Sequence, residues 1–363
     1  MRHSRQTRRL PVHLIGACVL CLGEVQTQAQ TPSAQELFEQ GRIFAAQGRL
    51  AESEVLLDRA VRLLPDDRDL LTLLGKVKGR LSEYPEAIGL FERVIALNPK
   101  SSESHVNLAI ALSDSGNLDR ALQETAKAIE IDPILPSAHL NRARILDDLK
   151  REAEAEAEFS IARKLTPNDP EVYFYWSFVE RAMGNFGRET SLLQRVVALQ
   201  PSNGKAFVLL ARSLLEQSKS VEAEAALRRA LAIDPKSTDA TYMLSRALLK
   251  SDPEESRRLA QRFTALREEN AALERSKTMG NEAYGATLLQ DWPRAASLYR
   301  EALEVCGSCE AEEALHRNLG LTLCKSGNTR EGEMELRKAL AMDPGDREAV
   351  KALTVLSQGH ENP

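Results

Sequence analysis

The chain has 363 residues, of which 43% are hydrophobic and 28% charged, with a formal net charge of −5. An acidic balance argues against a nucleic-acid binder, which needs a basic face. Nothing after Gly23 is apolar for long enough to cross a bilayer as a helix.

The first 29 residues follow their own program. Arg2, Arg5, Arg8 and Arg9 precede an apolar run from Leu10 to Gly23, and Thr27-Gln28-Ala29 offers small residues at a cleavage point. This is the layout of a secretory signal peptide, so the expected mature chain is exported, to the periplasm or the outside. Ile15-Gly16-Ala17-Cys18 loosely resembles a lipid-attachment motif, but too few apolar residues precede the cysteine to favour a lipid anchor. Arg8-Arg9 is a weak twin-arginine signal. Cleavage would remove four arginines and one glutamate, moving the net charge from −5 to −8. Residues 30–33 read as a short linker.

From there a period of 34 takes over. Proline stands at 65, 99, 133, 167, 201 and 235. Gly41, Gly75, Ala109, Ala143, Ser177, Ala211 and Ser245 form one column of small residues, and Ala60, Val94, Ala128, Ala162, Val196 and Ala230 another. Fixed spacing of a helix-stopping residue means one repeated unit. Small columns mean helix backbones that approach closely in every unit.

Within the unit from Ser102 to Leu135, Val106, Leu108, Ala109 and Leu112 recur at helical spacing, and Ser115-Gly116-Asn117 breaks the run. A second amphipathic run ends at Asp132-Pro133, where proline disfavours helix in the residue before it. Two such helices bury both apolar faces only by stacking on the next pair. The alternation Ala153-Glu154-Ala155-Glu156-Ala157-Glu158 looks like a strand, but its register puts it on a solvated helical face.

These columns resemble the tetratricopeptide repeat (TPR) family. Leu74-Gly75, Leu108-Ala109 and Leu319-Gly320 match its Leu-Gly pair; Ala87, Ala121, Ala155, Ala223 and Ala295 match its second-helix alanine; Phe91, Phe159 and Tyr299 match its later aromatic. The signature tryptophan is replaced by Leu71, His105, His139, Tyr173 and Phe207. The resemblance implies an all-α superhelical solenoid of antiparallel helix pairs. Units one to seven span 34–275, units eight and nine 276–345, and a closing helix and tail 346–363.

After Asp252-Pro253 no proline follows until Pro293, and Glu254 to Lys277 carries Leu259, Phe263, Leu266 and Leu273 at helical spacing. The stretch reads either as a unit that lost its stop signal, with a long second helix, or as a spacer between units seven and eight.

Catalytic motifs are missing: the sequence has no phosphate loop, no G-x-S-x-G and no H-E-x-x-H. His105, His139 and His316 occupy one place in their units and read as packing residues. The chain therefore reads as a non-enzyme without a cofactor. Cys306-Gly307-Ser308-Cys309 leaves alternatives open: a local disulfide, a redox pair, or a metal site with His316. Haem attachment is excluded because Glu310 stands where histidine is needed. Cys324, eight residues beyond His316 on the same helix, reads as an apolar filler. An accessory redox or metal-handling role through Cys306 and Cys309 is the alternative function.

The TPR resemblance also implies a concave groove lined by the first helix of each unit. Its fifth place reads Phe38, Thr72, Val106, Leu140, Phe174, Val208 and Tyr242; its ninth reads Arg42, Lys76, Ile110, Arg144, Phe178, Arg212 and Arg246. An apolar stripe beside a basic column suits a protein or peptide segment with acidic side chains. Helix-surface pairs, Arg144 with Asp148 and Arg212 with Glu216, would instead neutralise the column locally. The family's carboxylate clamp uses asparagine where this chain has Arg and Lys, so that partner is not implied. The expected function is a non-catalytic exported scaffold that binds its partner in this groove.

Overall fold

A computed structural model describes residues 32–360; the signal-peptide reading of residues 1–29 lies outside them. The described residues form eighteen α-helices and no strand, packed in antiparallel pairs. They divide into two compact units, 32–257 and 258–360.

The first unit repeats one design. Helix pairs run α1 (Ala34–Ala46) with α2 (Leu50–Leu63), α3 (Arg68–Arg80) with α4 (Tyr84–Leu97), and α5 (Ser102–Asp114) with α6 (Leu118–Ile131). They continue as α7 (Pro136–Asp148) with α8 (Glu152–Leu165), α9 (Pro170–Ala182) with α10 (Phe186–Leu199), α11 (Gly204–Glu216) with α12 (Ser220–Ile233), and then α13 (Thr238–Ala247). Each first helix begins 34 residues after the last, because the start signal repeats. Ser33, Asp67, Ser101, Asp169, Asn203 and Ser237 each accept a hydrogen bond from a backbone N–H of the first turn. Leu135 has no such oxygen, and Pro136 at the first helical position compensates with its preset φ.

The turn inside each pair repeats as well. Gly48, Ser82, Gly116, Lys150, Gly184 and Ser218 all have φ between +60° and +85°. Ser82, Lys150 and Ser218 hold this left-handed conformation against a cost that glycine escapes.

Cores form between neighbouring pairs. Leu140, Ala143, Leu146, Phe159, Val172 and Trp176 pack as one cluster spanning α7 to α9, with Phe159 and Trp176 rings stacked 6.1 Å apart. The small column works as expected from its residues: Ala109, Ala143 and Ala211 are fully buried where first and second helices cross.

Helix α14 (Pro253–Leu288) runs 36 residues without a turn, roughly 54 Å at 1.5 Å per residue. Residue 276, where the repeat register starts unit eight, lies inside it. The division between the compact units also falls within it, between Arg257 and Arg258. The reason is compositional: past Pro253 the helix is rich in Ala, Leu, Glu and Arg and meets no proline to stop it.

The second unit contains the rest of α14, then α15 (Trp292–Cys306), α16 (Glu312–Lys325), α17 (Thr329–Met342) and α18 (Arg347–His360). Its core gathers Ala283, Ala296, Tyr299, Ala302, Leu315, Leu319 and Leu323. Ser276 ties α14 to α15 by donating to the Ala302 carbonyl at 2.8 Å. Helices α16 and α17 approach closely at Gly320 and Gly332, where an added Cβ would meet the facing backbone. Among the described residues no helix is long and apolar enough to cross a membrane.

Candidate functional site

The fifth-place column is less exposed than an open stripe. Val106 is 4% exposed and packs with Ala128 and Ala138. Leu140 and Val208 are each 7% exposed. Phe38 is half-buried against Leu37, Ala60 and Leu70. The stacking of successive pairs covers these short aliphatic side chains, while longer ones reach past it. Phe174 and Phe178 stay half-exposed, with their rings edge to face at 5.1 Å, and Tyr242 is 47% exposed.

The ninth-place column divides by partner. Arg42 is exposed and pairs with Glu39 at 2.7 Å. Arg144 is half-buried; its Nη1 donates to Asn141 Oδ1 at 3.0 Å, and its guanidinium lies over the Tyr175 ring at 4.3 Å. Burial pushes the nearby Asp114 carboxyl up, with the Arg144 charge acting in the opposite direction. Neither Arg144–Asp148 nor Arg212–Glu216 forms an ion pair; Glu216 instead lies 4.0 Å from Arg181. Lys76 and Arg246 are exposed.

Arg212 is different. Half-buried and without an acidic partner among the described residues, it lines a cleft of about 510 Å³ with Phe174, Phe178 and Val208. Helix α9 supplies the two rings, α11 supplies Val208 and Arg212, and the segment from the end of α12 into α13 closes the far side. Of the twelve groove candidates, the structure brings these four together. The spread of Phe38, Arg42, Lys76, Val106, Leu140, Arg144, Tyr242 and Arg246 along the array leaves the others outside this cleft.

The cleft also holds residues that the columns did not point to. Lys205, Lys236, Asp234 and Asp239 line it, so its charge is mixed rather than uniformly basic. Asp234 is partly engaged, because its Oδ1 accepts the Lys236 backbone N–H at 3.0 Å. Asp234 precedes the proline column, and Asp239 shares a first-turn column with Asp69, Glu103 and Glu171, which marks a helix start rather than a cleft.

The histidines are packed and partnered. Nδ1 of His105 meets Glu124 at 2.6 Å, Nδ1 of His139 meets Glu158 at 2.7 Å, and His316 pairs with Glu335. The glutamate stands 19 residues on in each case. On the other ring edge, Nε2 of His139 lies 3.0 Å from the Pro133 carbonyl. Tyr173 fills the same place by donating its hydroxyl to the Pro167 carbonyl at 2.7 Å. Burial pushes Glu124 up, but hydrogen bonds from Lys127 and His105 outweigh it and hold the carboxyl below its ordinary value. With its ring nitrogens occupied this way, His139 has no lone pair directed at a substrate.

Cys306 and Cys309 form a disulfide with their Cα atoms 5.2 Å apart, at the point where α15 ends. Gly307 between them takes φ +62°. Cys306 is 7% exposed and lies in the core beside Tyr299. Among the described residues no group of three or more His, Cys, Asp or Glu has the placement to hold a metal. Cys324 is half-buried, and burial pushes its thiol up.

Two segments, 81–133 and 181–238, match models of the tetratricopeptide repeat. The chain carries tetratricopeptide repeats. Among curated proteins it is similar to the Protein O-mannosyl-transferase TMTC3 of Homo sapiens, 25% identical over 307 residues covering 79% of this chain and 33% of that protein. It is also 34% identical over 79 residues to the TPR repeat-containing thioredoxin TTL4 of Arabidopsis thaliana, covering 22% of this chain and 12% of that one. The chain thus spans a third or less of these relatives. Among solved structures, a thermophilic TPR protein of Thermus thermophilus covers 50% of this chain and 100% of its own, with TM-score 0.47 and 22% identity. A tetratricopeptide repeat protein of Parabacteroides merdae covers 80% of this chain and 98% of its own, with TM-score 0.47 and 17% identity.

Proposed function

We propose that this TPR protein is an exported, non-catalytic scaffold that holds a protein or peptide partner along the first helices of its repeats. Such repeats typically mediate protein–protein interactions. The observation that carries the reading is Arg212: a half-buried guanidinium without an acidic partner, beside two partly exposed phenylalanine rings at a cleft of about 510 Å³. A partly buried cation is best satisfied by an anion, and aromatic walls favour an apolar neighbour on the same segment. An acidic, apolar-flanked stretch of a partner meets both demands. The basic residues Lys76 and Arg246, both exposed, extend the same preference along the array. Export rests on the N-terminal pattern of residues 1–29 and on no other feature.

The test begins with a pull-down from the envelope fraction using the chain from residue 30. Changing Arg144, Arg212 and Arg246 together to glutamine should weaken binding of the recovered partner more than tenfold at low salt, about 1.4 kcal/mol or more. Added salt should shrink the difference, because partly exposed charges are screened over about 8–10 Å. Arg144→Gln alone is the control, since Asn141 and Tyr175 already hold that side chain. If the triple variant binds normally but melts early, these arginines are structural and the binding face lies elsewhere.

A further inference from the structure

Arg317 on α16 faces three carboxylates. Its Nη1 lies 3.4 Å from Glu313 and 3.5 Å from Asp346 Oδ2, and its Nε lies 3.4 Å from Glu348. Asp343, which caps α17, adds a further negative charge near Glu313. From α15, Tyr299 is the titratable group that feels Arg317, with Tyr284 of α14 behind it. Glu312, the preceding residue, lies 4.0 Å from His316, which is itself paired with Glu335 of α17. Carboxylates crowded together, as Glu313 and Asp346 are on one guanidinium nitrogen, favour uptake of one proton.

Geometry says which carboxyl takes it. Asp346 is 6% exposed, and its Oδ1 accepts backbone N–H bonds from Glu348 at 2.9 Å and Ala349 at 3.2 Å, capping α18. Two backbone donors at a helix N-terminus thus engage that oxygen. The other Asp346 oxygen, Oδ2, is buried and makes no hydrogen bond, although Arg317 Nη1 lies 3.5 Å away. A protonated Glu313 supplies the O–H that Oδ2 lacks. Burial, then the hydrogen bond to Asp346, then the charges of Asp346 and Asp343 push the Glu313 carboxyl up to about 7, with Arg317 pulling the other way.

We propose that a proton held between Glu313 and Asp346 latches the closing helix α18 onto α16, so that α18 is held while Glu313 is protonated and loosens when Glu313 ionises. Helix α18 packs on both α16 and α17, and Ala349 beside the cap is fully buried, so opening the latch exposes that seam. The sign follows from linkage. A carboxyl whose value is raised in the docked state binds its proton there more tightly than in the loosened state. The latch is therefore complete below about pH 4.5, the ordinary value, and is lost as pH rises through about 7.

The test is hydrogen exchange of the full chain, read by mass spectrometry on peptides covering 346–358 and corrected for intrinsic exchange rates. Wild-type protection there should fall at least tenfold between pH 5.5 and 8.5, while the buried α16 amides change little. Glu313→Gln keeps a donor without a charge and should stay protected at both pH values. Asp346→Asn keeps a good cap and removes the second charge, and should also flatten the profile. Flat wild-type protection, or an unchanged pH dependence in Glu313→Gln, overturns the latch. If either variant loses helix, carbon-detected titration of the wild-type Glu313 carboxyl decides: a midpoint near 7 supports the latch, and one near 4.5 ends it.

Discussion

Gly320→Ala should destabilise the second unit, whereas Gly75→Ala should leave the first nearly unchanged. Both glycines sit where a first helix crosses its partner, and both face a large residue 16 positions on. The three atoms nearest a Cβ at Gly75 all belong to the Phe91 ring, the closest at 2.8 Å. Ala143 already faces Phe159 across the same interval with both fully buried, so a ring can make room for a methyl group there. A Cβ at Gly320 would lie 2.8 Å from the Gly332 carbonyl oxygen and 3.0 Å from the Leu336 amide nitrogen, as well as 2.7 Å from Leu336 Cγ. Backbone cannot rotate aside, so α16 and α17 must separate. Overpacking costs about 1–3 kcal/mol, and replacing glycine recovers about 0.4–1 kcal/mol through the unfolded chain. The net is about 1–2 kcal/mol lost at Gly320 and within about 1 kcal/mol of zero at Gly75. The two tryptophans make this readable, since Trp176 lies in the unit 32–257 and Trp292 in the unit 258–360. In single-tryptophan backgrounds made by Trp→Phe, urea unfolding should show the Trp292 transition of Gly320→Ala moved down by about 0.5–1 M, for slopes of about 1–3 kcal/mol/M. Repeat arrays can unfold in parts, so each probe is compared only with its own background. An unmoved Trp292 midpoint, or a larger loss at Gly75, would refute the argument from backbone contact.

Glu124→Gln removes a buried carboxylate that His105 and Lys127 both hold, at 2.6 and 2.8 Å. Because the folded value is held down, the stabilisation is present above the ordinary carboxylate range and lost as pH falls through it. The variant should be about 1–3 kcal/mol less stable than wild type at pH 7, with the gap closing as pH falls below the ordinary carboxylate range in circular-dichroism melts; a gap that persists in acid would show that the carboxylate charge is not the cause. Replacing Cys306 and Cys309 by serine should keep helical content and partner binding, because closing so short a loop removes little unfolded-chain entropy. Loss of binding with the helices intact would move the redox role of this pair ahead of the scaffold reading.

How much of this was legible depends on whether a feature repeats in one column or joins two. The start of each first helix was readable because proline, small residues and cap oxygens all recur every 34 positions, and local signals agree with the packing they serve. The left-handed turn column was harder to see, since Lys150, Ser82 and Ser218 take a conformation that their identities do not announce. In the groove, the columns named Arg144 and Arg212 alike, yet Tyr175 and Asn141 occupy the first while the second lines a cleft. That distinction comes from Asn141 one turn back on the same helix and from Tyr175 on the next unit, a combination that no single column contains. The long helix was only half visible: Glu254 to Lys277 read as continuous, but α14 carries on to Leu288, past the place where the register begins another unit. With no proline or tight turn in that stretch, the register has nothing there to enforce it.

The histidines show how such pairings can be read in a repeat. Counting 19 positions on from His105, His139 and His316 reaches Glu124, Glu158 and Glu335, whereas Leu71, Tyr173 and Phe207 lead to Leu90, Leu192 and Ala226. A buried imidazole needs an acceptor across the helix pair, and a leucine or tyrosine in its place needs no carboxylate there. The two positions therefore change together from unit to unit, although neither column alone is uniform. A fixed offset between two varying columns is the mark of a side-chain contact inside the repeat. In a solenoid, where every unit samples the same geometry with different residues, that comparison takes the place of an alignment.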